Sequence, residues 1–253
     1  MKVFQYDKVC LKVLDSRQEM GEAAAIDAAE CMRRMLAEKD EINCVFAAAP
    51  SQNEFLEGLS EEEGIDWKRV NAYHMDEYVG FEIGHPNSFN RFLTDAIFSK
   101  VPFKTVNLLN GANELNEEAK RYSNLLNAIE IDIVFMGIGE NGHIAFNDPS
   151  VADFHDPKAV KVVKLDDVCR QQQVNDGCFP TIENVPEYAL TVTIPKLTSA
   201  KEIFCIVPTK KKRQAAKNAL TGEISEKCPA SILRKIDNVH MYIDKDCYWE
   251  NLS

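Results

Sequence analysis

The sequence predicts an α/β fold, a doubly wound and mostly parallel sheet with helices on both faces, Rossmann-like in type. Three observations predict it. Short β-branched or aromatic runs alternate along the chain with longer amphipathic ones, the pattern of βαβ units. Residues 131–136 read Ile-Asp-Ile-Val-Phe-Met, apolar except for Asp132, which suits a strand covered on both faces. That run ends in Gly137, Gly139 and Gly142, interleaved and followed by Glu140, Asn141, His143, Asn147 and Asp148. Ligands in open α/β sheets sit at the carboxyl ends of strands, so residues 131–149 form the candidate site. One domain spanning 1–253 is expected.

The elements follow in order. Residues 9–14 suit a first strand. Ser16, with Glu19 three residues later, caps a helix to about 39 that puts Ala24, Ala28, Cys31, Met32 and Met35 on one face. A strand at 43–49 runs into Pro50-Ser51-Gln52-Asn53-Glu54 and a second helix, with Ser and Glu again three apart. Free N–H groups at such a helix start suit a phosphate, or the helix is simply capped. The third strand, 70–75, ends in Asp76-Glu77-Tyr78. Two adjacent acids point opposite ways if the strand continues, so one can face a site. His85-Pro86-Asn87-Ser88 leads into a helix to about 97; a strand at 106–109 and a helix at 113–129 follow. Beyond Pro157 come a strand at 160–165, a polar glutamine-rich helix and loop at 166–177, and strands at 187–194 and 202–207. Thr209-Lys210-Lys211-Lys212-Arg213 opens a helix to about 220, and a last strand occupies 239–243. Four cations at a helix start oppose the dipole, which a bound anion would offset; otherwise they form a solvated basic face.

The 253 residues are 45% hydrophobic and 27% charged, an ordinary globular composition. The net charge of −11 argues against a nucleic-acid surface but leaves room for a local basic pocket. No apolar run approaches the ~20 residues of a membrane span, and no basic, apolar leader opens the sequence. The 8 cysteines include no Cys-x-x-Cys pair, so they read as reduced, mostly buried thiols of a cytoplasmic protein, and no zinc spacing is present. Gly137, Gly139 and Gly142 also match the dinucleotide spacing G-x-G-x-x-G. That reading needs a helix at the third glycine, and Pro149 and Pro157 follow instead, although Asp166 lies where an acidic partner would be sought.

Three separated segments resemble the glucosamine-6-phosphate deaminases. They are residues 71–80 (Asn-Ala-Tyr-His-Met-Asp-Glu-Tyr-Val-Gly) with His85-Pro86-Asn87-Ser88-Phe89, the block 137–149, and the stretch from Tyr188 to Gly222. The resemblance covers nearly the whole chain. It implies an aldose–ketose isomerisation that releases ammonia and leaves fructose 6-phosphate. Asp76 would be the base at C2, and His143 would open the ring, oriented by Asn141 and Asp148. Ser51, Gln52, Glu77, Gly142 and Lys212 would bind the substrate, Lys212 at its phosphate. An ordinary aspartate, with a pKa near ~4, is ionised at neutral pH and can serve as a base. The resemblance implies no metal, no organic cofactor and a small sugar phosphate as partner; relatives are hexamers or monomers, which leaves a homo-oligomer open. Galactosamine 6-phosphate as substrate, 6-phosphogluconolactonase activity and a non-catalytic sugar-phosphate sensor are the alternatives. Three departures stand out. Many relatives carry Asp at 141 and Glu at 148. The family's Thr-Gly-Gly/Ser-Thr-Pro phosphate loop falls on Ala48-Ala49-Pro50-Ser51-Gln52-Asn53. Its arginine clamp falls on Asn175, leaving Arg170, Lys210, Lys211 and Arg213 beside Lys212 as substitutes.

Overall fold

The computed structural model describes residues 1–250. The amino-terminal third comprises β1 (Lys2–Tyr6), β2 (Val9–Leu14), α1 (Arg17–Glu38), β3 (Ile42–Phe46), α2 (Asn53–Glu61), β4 (Val70–His74) and β5 (Asp76–Tyr78). Next come α3 (Phe89–Leu93), β6 (Thr105–Asn107), α4 (Leu115–Asn127), β7 (Ile133–Met136), β8 (Val160–Lys164) and α5 (Asp167–Asn175). The chain finishes with β9 (Tyr188–Val192), α6 (Ile194–Thr198), β10 (Glu202–Val207), α7 (Arg213–Thr221) and β11 (Val239–Asp244).

Eight strands form the central sheet in the order β1-β2-β11-β10-β7-β3-β4-β6, and every pairing is parallel except β1 with β2. The doubly wound expectation is met. Along β10, Phe204 and Ile206 enter the core under α1 and α2, whereas Ile203, Cys205 and Val207 enter the core on the opposite face. β7 divides in the same way, which is why both strands read as continuous apolar runs. Ser16 caps α1 through a hydrogen bond from the Glu19 N–H, as its spacing predicts. No helix of the described residues is long and apolar enough to cross a membrane.

Several local expectations are revised. β1 is an added hairpin strand, turned at Asp7 and anchored where Phe4 stacks on Tyr248 and Tyr6 packs tilted against Trp249. Its mostly exposed residues gave no periodic signal. Ser51 does not cap α2. Pro50 starts a 3₁₀ turn, Pro50–Gln52, so the helix begins at Asn53 with Gln52 at its cap and no side-chain capping bond. Glu54 instead pairs with Arg17 at 2.8 Å. Lys210–Lys212 likewise form a 3₁₀ turn, and α7 proper starts at Arg213.

The third strand does not run on through the two acids. At Met75 the chain leaves the central sheet. The Met75 N–H donates to Phe46 O at 3.3 Å, while its carbonyl accepts from the Val192 N–H of β9 at 2.8 Å. β5 then pairs antiparallel with β9 in a second sheet, β5-β9-β8. Asp76 is thus the first residue past a junction between two sheets. Glu77 points the other way, and its carboxylate accepts from the N–H groups of Tyr78, Phe89 and Asn90 and from the Asn90 side chain at 2.7–3.0 Å. Burial pushes its carboxyl up to about 7, against those donors, which favour the charged form. Removing it strands several buried N–H groups. Glu77→Ala is therefore expected to cost roughly 3 kcal/mol or more, read as a lower urea midpoint at unchanged m.

Candidate active site

The loop after β7 is built around one imidazole. The Gly139 N–H donates to His143 O at 3.0 Å and the Gly142 N–H to Gly139 O at 3.0 Å, which folds the loop back on itself. A Cβ at Gly139 would lie 2.1–2.3 Å from the His143 ring, so only glycine admits the ring there. Gly142 has φ +87° and would meet Cys228 Sγ at 2.7 Å, so glycine is required twice over. No helix starts at Gly142, which removes the dinucleotide reading. His143 Nδ1 lies 2.8 Å from Asn141 Oδ1 and 3.0 Å from Asp148 Oδ1. Asn141 Nδ2 donates to the same Asp148 oxygen at 3.0 Å. Nδ1 therefore faces two acceptors and carries the proton, leaving Nε2 as the basic nitrogen. Burial acts to raise the Asp148 carboxyl, but the bonds from His143 and Asn141 outweigh it and hold the group below its ordinary value. Asn147 fastens the loop to the second sheet by donating to Ile144 O and Val192 O, both at 2.9 Å.

Asp76, His143, Ser51 and Lys212 line one cavity with Ala48, Ala49, Phe89, Gly137, Gln172 and Gln173. Asp76 is 6% exposed and its Oδ1 has no hydrogen-bond partner among the described residues. Burial, then the neighbouring Glu77 charge, raises its carboxyl well above the ordinary aspartate value. The unperturbed value assumed from the sequence thus does not apply. Lys212 is 6% exposed, and burial lowers its ammonium below the usual lysine value. The cavity holds only about 60 Å³, below the ~300–1,000 Å³ of ordinary ligand sites.

The other expected residues divide into two groups. Asn141 and Asp148 stand behind His143, where orienting groups belong. Glu77, Gln52 and Gly142 do not reach the cavity wall. Glu77 is turned into the packing, Gln52 donates to Ile206 O and Ser51 Oγ, and Gly142 backs onto Cys228. The substitute cations are engaged elsewhere. Arg170 binds Ile182 O and Val185 O, Lys211 binds Asn175 O, and Arg213 binds Asp246 O. Lys210 does not line the cavity, and Asn175 is exposed on the far side of α5. Gln172 and Gln173, unremarked within their polar segment, do line it; helical spacing brings them inward together. Backbone strain also gathers here: Ala145 has φ +51° and Thr209 φ +78°, the latter held by its N–H donating to both Asp244 oxygens. For a metal, ligand-type atoms of His143, Asp148 and Cys169 lie within 4.8 Å of one another, a grouping that sequence spacing could not show.

Two outcomes follow. The Asp76 carboxyl holds its proton more tightly in the folded than in the unfolded chain, so the folded state loses stability as pH rises past the ordinary aspartate value. Asp76→Asn, which cannot ionise, is expected to raise Tm at pH 7–8, by ~2–4 °C per kcal/mol recovered, in a thermal melt. Gly139→Ala must displace the His143 ring and is expected to lower kcat ~10²-fold or more in steady-state assays.

A family model described as glucosamine-6-phosphate isomerases/6-phosphogluconolactonase matches residues 15–242. Glucosamine-6-phosphate deaminases of Bacillus cereus (strain B4264) and Bacillus cytotoxicus are each 38% identical over 183 residues, 72% of this chain and 68% of theirs. A solved monomeric glucosamine-6-phosphate deaminase superposes with a TM-score of 0.84 at 29% identity, covering 94% of this chain and 98% of its own. The 6-phosphogluconolactonase of Thermotoga maritima superposes at 0.74 with 18% identity over 94% and 100%, a likeness of fold alone. By the span of the family match and the identity of these relatives, the chain belongs to the glucosamine-6-phosphate isomerase/6-phosphogluconolactonase family.

Proposed function

We propose that this protein converts glucosamine 6-phosphate and water to fructose 6-phosphate and ammonia. One observation carries the reading: an unpaired buried carboxylate, an oriented imidazole and a buried lysine line a common cavity. His143 Nε2, left as the acceptor nitrogen by the Nδ1 contacts, moves the proton between the ring oxygen and the C1 hydroxyl as the sugar opens. Asp76 takes the proton from C2 and returns it to C1. The nitrogen at C2 is then an imine, which water hydrolyses to the ketone with loss of ammonia. A carboxylate without hydrogen-bond donors, its pKa raised, is a stronger base toward carbon than an ordinary aspartate. Lys212 and Ser51 would receive the phosphate. The naming of the relatives as glucosamine-6-phosphate deaminases agrees with this reading, and lactone hydrolysis has no C–H proton for Asp76 to take.

Ammonia release coupled to fructose 6-phosphate formation is the test. Hydrolysis of 6-phosphogluconolactone without ammonia from any amino-sugar phosphate would overturn the proposal. Asp76→Asn should abolish proton exchange at C2 while leaving binding largely intact. Lys212→Ala should raise KM more than it lowers kcat. In the pH profile of kcat/KM, loss of the Asp76 proton sets an acid limb well above 3.8. Loss of the Lys212 charge sets an alkaline limb below 10.5.

A further inference from the structure

The anion end of the cavity is short of donors. The Gln52 N–H is bonded to Ala49 O, the Asn53 N–H to Pro50 O, and Pro50 has none. The start of α2 therefore offers a phosphate little beyond the Ser51 side. Lys212 is the cation on the cavity wall, and the position that resemblance assigns to an arginine holds Asn175. α5 explains why position 175 cannot serve. Gln171 and Asn175 are exposed and bonded to each other at 3.2 Å, whereas Gln172 and Gln173 lie on the buried face toward the cavity. Two residues along a helix is about 200°, so positions 173 and 175 point nearly opposite ways.

The two inward glutamines differ. Gln172 is fixed, its Oε1 accepting from the Glu140 N–H at 2.8 Å and its Nε2 directed at Asp176. Gln173 is 8% exposed, and its carboxamide makes no hydrogen bond to the described residues. Its amide atoms are not sealed from solvent, so its N–H donors stand free for a ligand entering the cavity. α5 is also tied to the lysine turn, because Lys211 Nζ donates to Asn175 O at 3.0 Å. Gln173 thus sits between the catalytic loop and the turn that carries Lys212.

We propose that Gln173 binds the substrate's phosphate, its side-chain N–H groups donating to a phosphate oxygen beside Lys212 and Ser51 and replacing the arginine absent at 175. This rests on the sugar-phosphate reading above. A neutral amide supplies two donors without the desolvation cost of a second buried cation.

The test uses the full chain with glucosamine 6-phosphate as substrate and inorganic phosphate as competitive inhibitor. Gln173→Ala should raise KM and the phosphate inhibition constant together, by ~10-fold or more, with kcat nearly unchanged. Gln173→Glu, which sets a carboxylate against the anion, should raise both further. Gln173→Met, of similar length but without donors, should repeat the alanine result, so a folding defect in one variant does not decide the matter. A rise in KM with an unchanged phosphate constant places the amide on the sugar and overturns the proposal, as does no change in either. If wild-type protein releases no ammonia, the enzymatic reading fails. Calorimetric titration of inorganic phosphate into wild type and Gln173→Ala then decides the role of Gln173 separately, and equal affinities overturn it.

Discussion

The backbone of Met75 bonds to two sheets at once, and the candidate site depends on it. Its N–H belongs to the central sheet and its carbonyl to the β5-β9-β8 sheet. A strand simply extended would have carried Asp76 onward beside β3. The switch instead turns it into the space at the carboxyl ends of β3, β7 and β10, where the His143 loop also arrives. Glu77 locks the turn by gathering the amino end of α3. Adjacent acids thus take opposite parts, one exposed to the cavity without donors and the other saturated with them.

The same division of environments separates the two carboxylates nearest the proposed chemistry. Asp148 is buried but bonded by His143 and Asn141, so its charge is stabilised. Asp76 is buried and unbonded, so its charge is not. One therefore stays ionised and orients an imidazole, while the other is poised to hold and release a proton. Asn141 fits this arrangement better than its lack of charge suggests. Its oxygen accepts at Nδ1 and its nitrogen donates to Asp148, so one amide serves both partners. An aspartate there would place a second negative charge against Asp148 and could offer it no donor.

The anion end shows a different economy. A proline-initiated 3₁₀ turn and Gln52, bonded to Ile206 O away from the cavity, occupy the region where glycines would let a phosphate approach backbone N–H groups. The site leans instead on side chains, Lys212 from the β10–α7 turn and the glutamines of α5.

The sequence by itself determined the layers of the fold and the glycine-rich loop carrying His143, through alternation of apolar runs and glycines at the end of a buried strand; the pairing of that histidine with Asn141 and Asp148 was implied by the resemblance to the deaminases. It also suggested that, were the strand to continue, two adjacent acids would face opposite ways and one could face a site. Only the tertiary structure decided which acid faces the cavity, because that depends on a strand changing sheets through bonds to Phe46 and Val192, both distant in sequence. It likewise decided that Gln52 and Glu77 turn away while Gln172 and Gln173 turn inward. The outcome is set by which helix face meets a neighbour and by where buried N–H groups must find acceptors, and neither condition is visible in a run of letters.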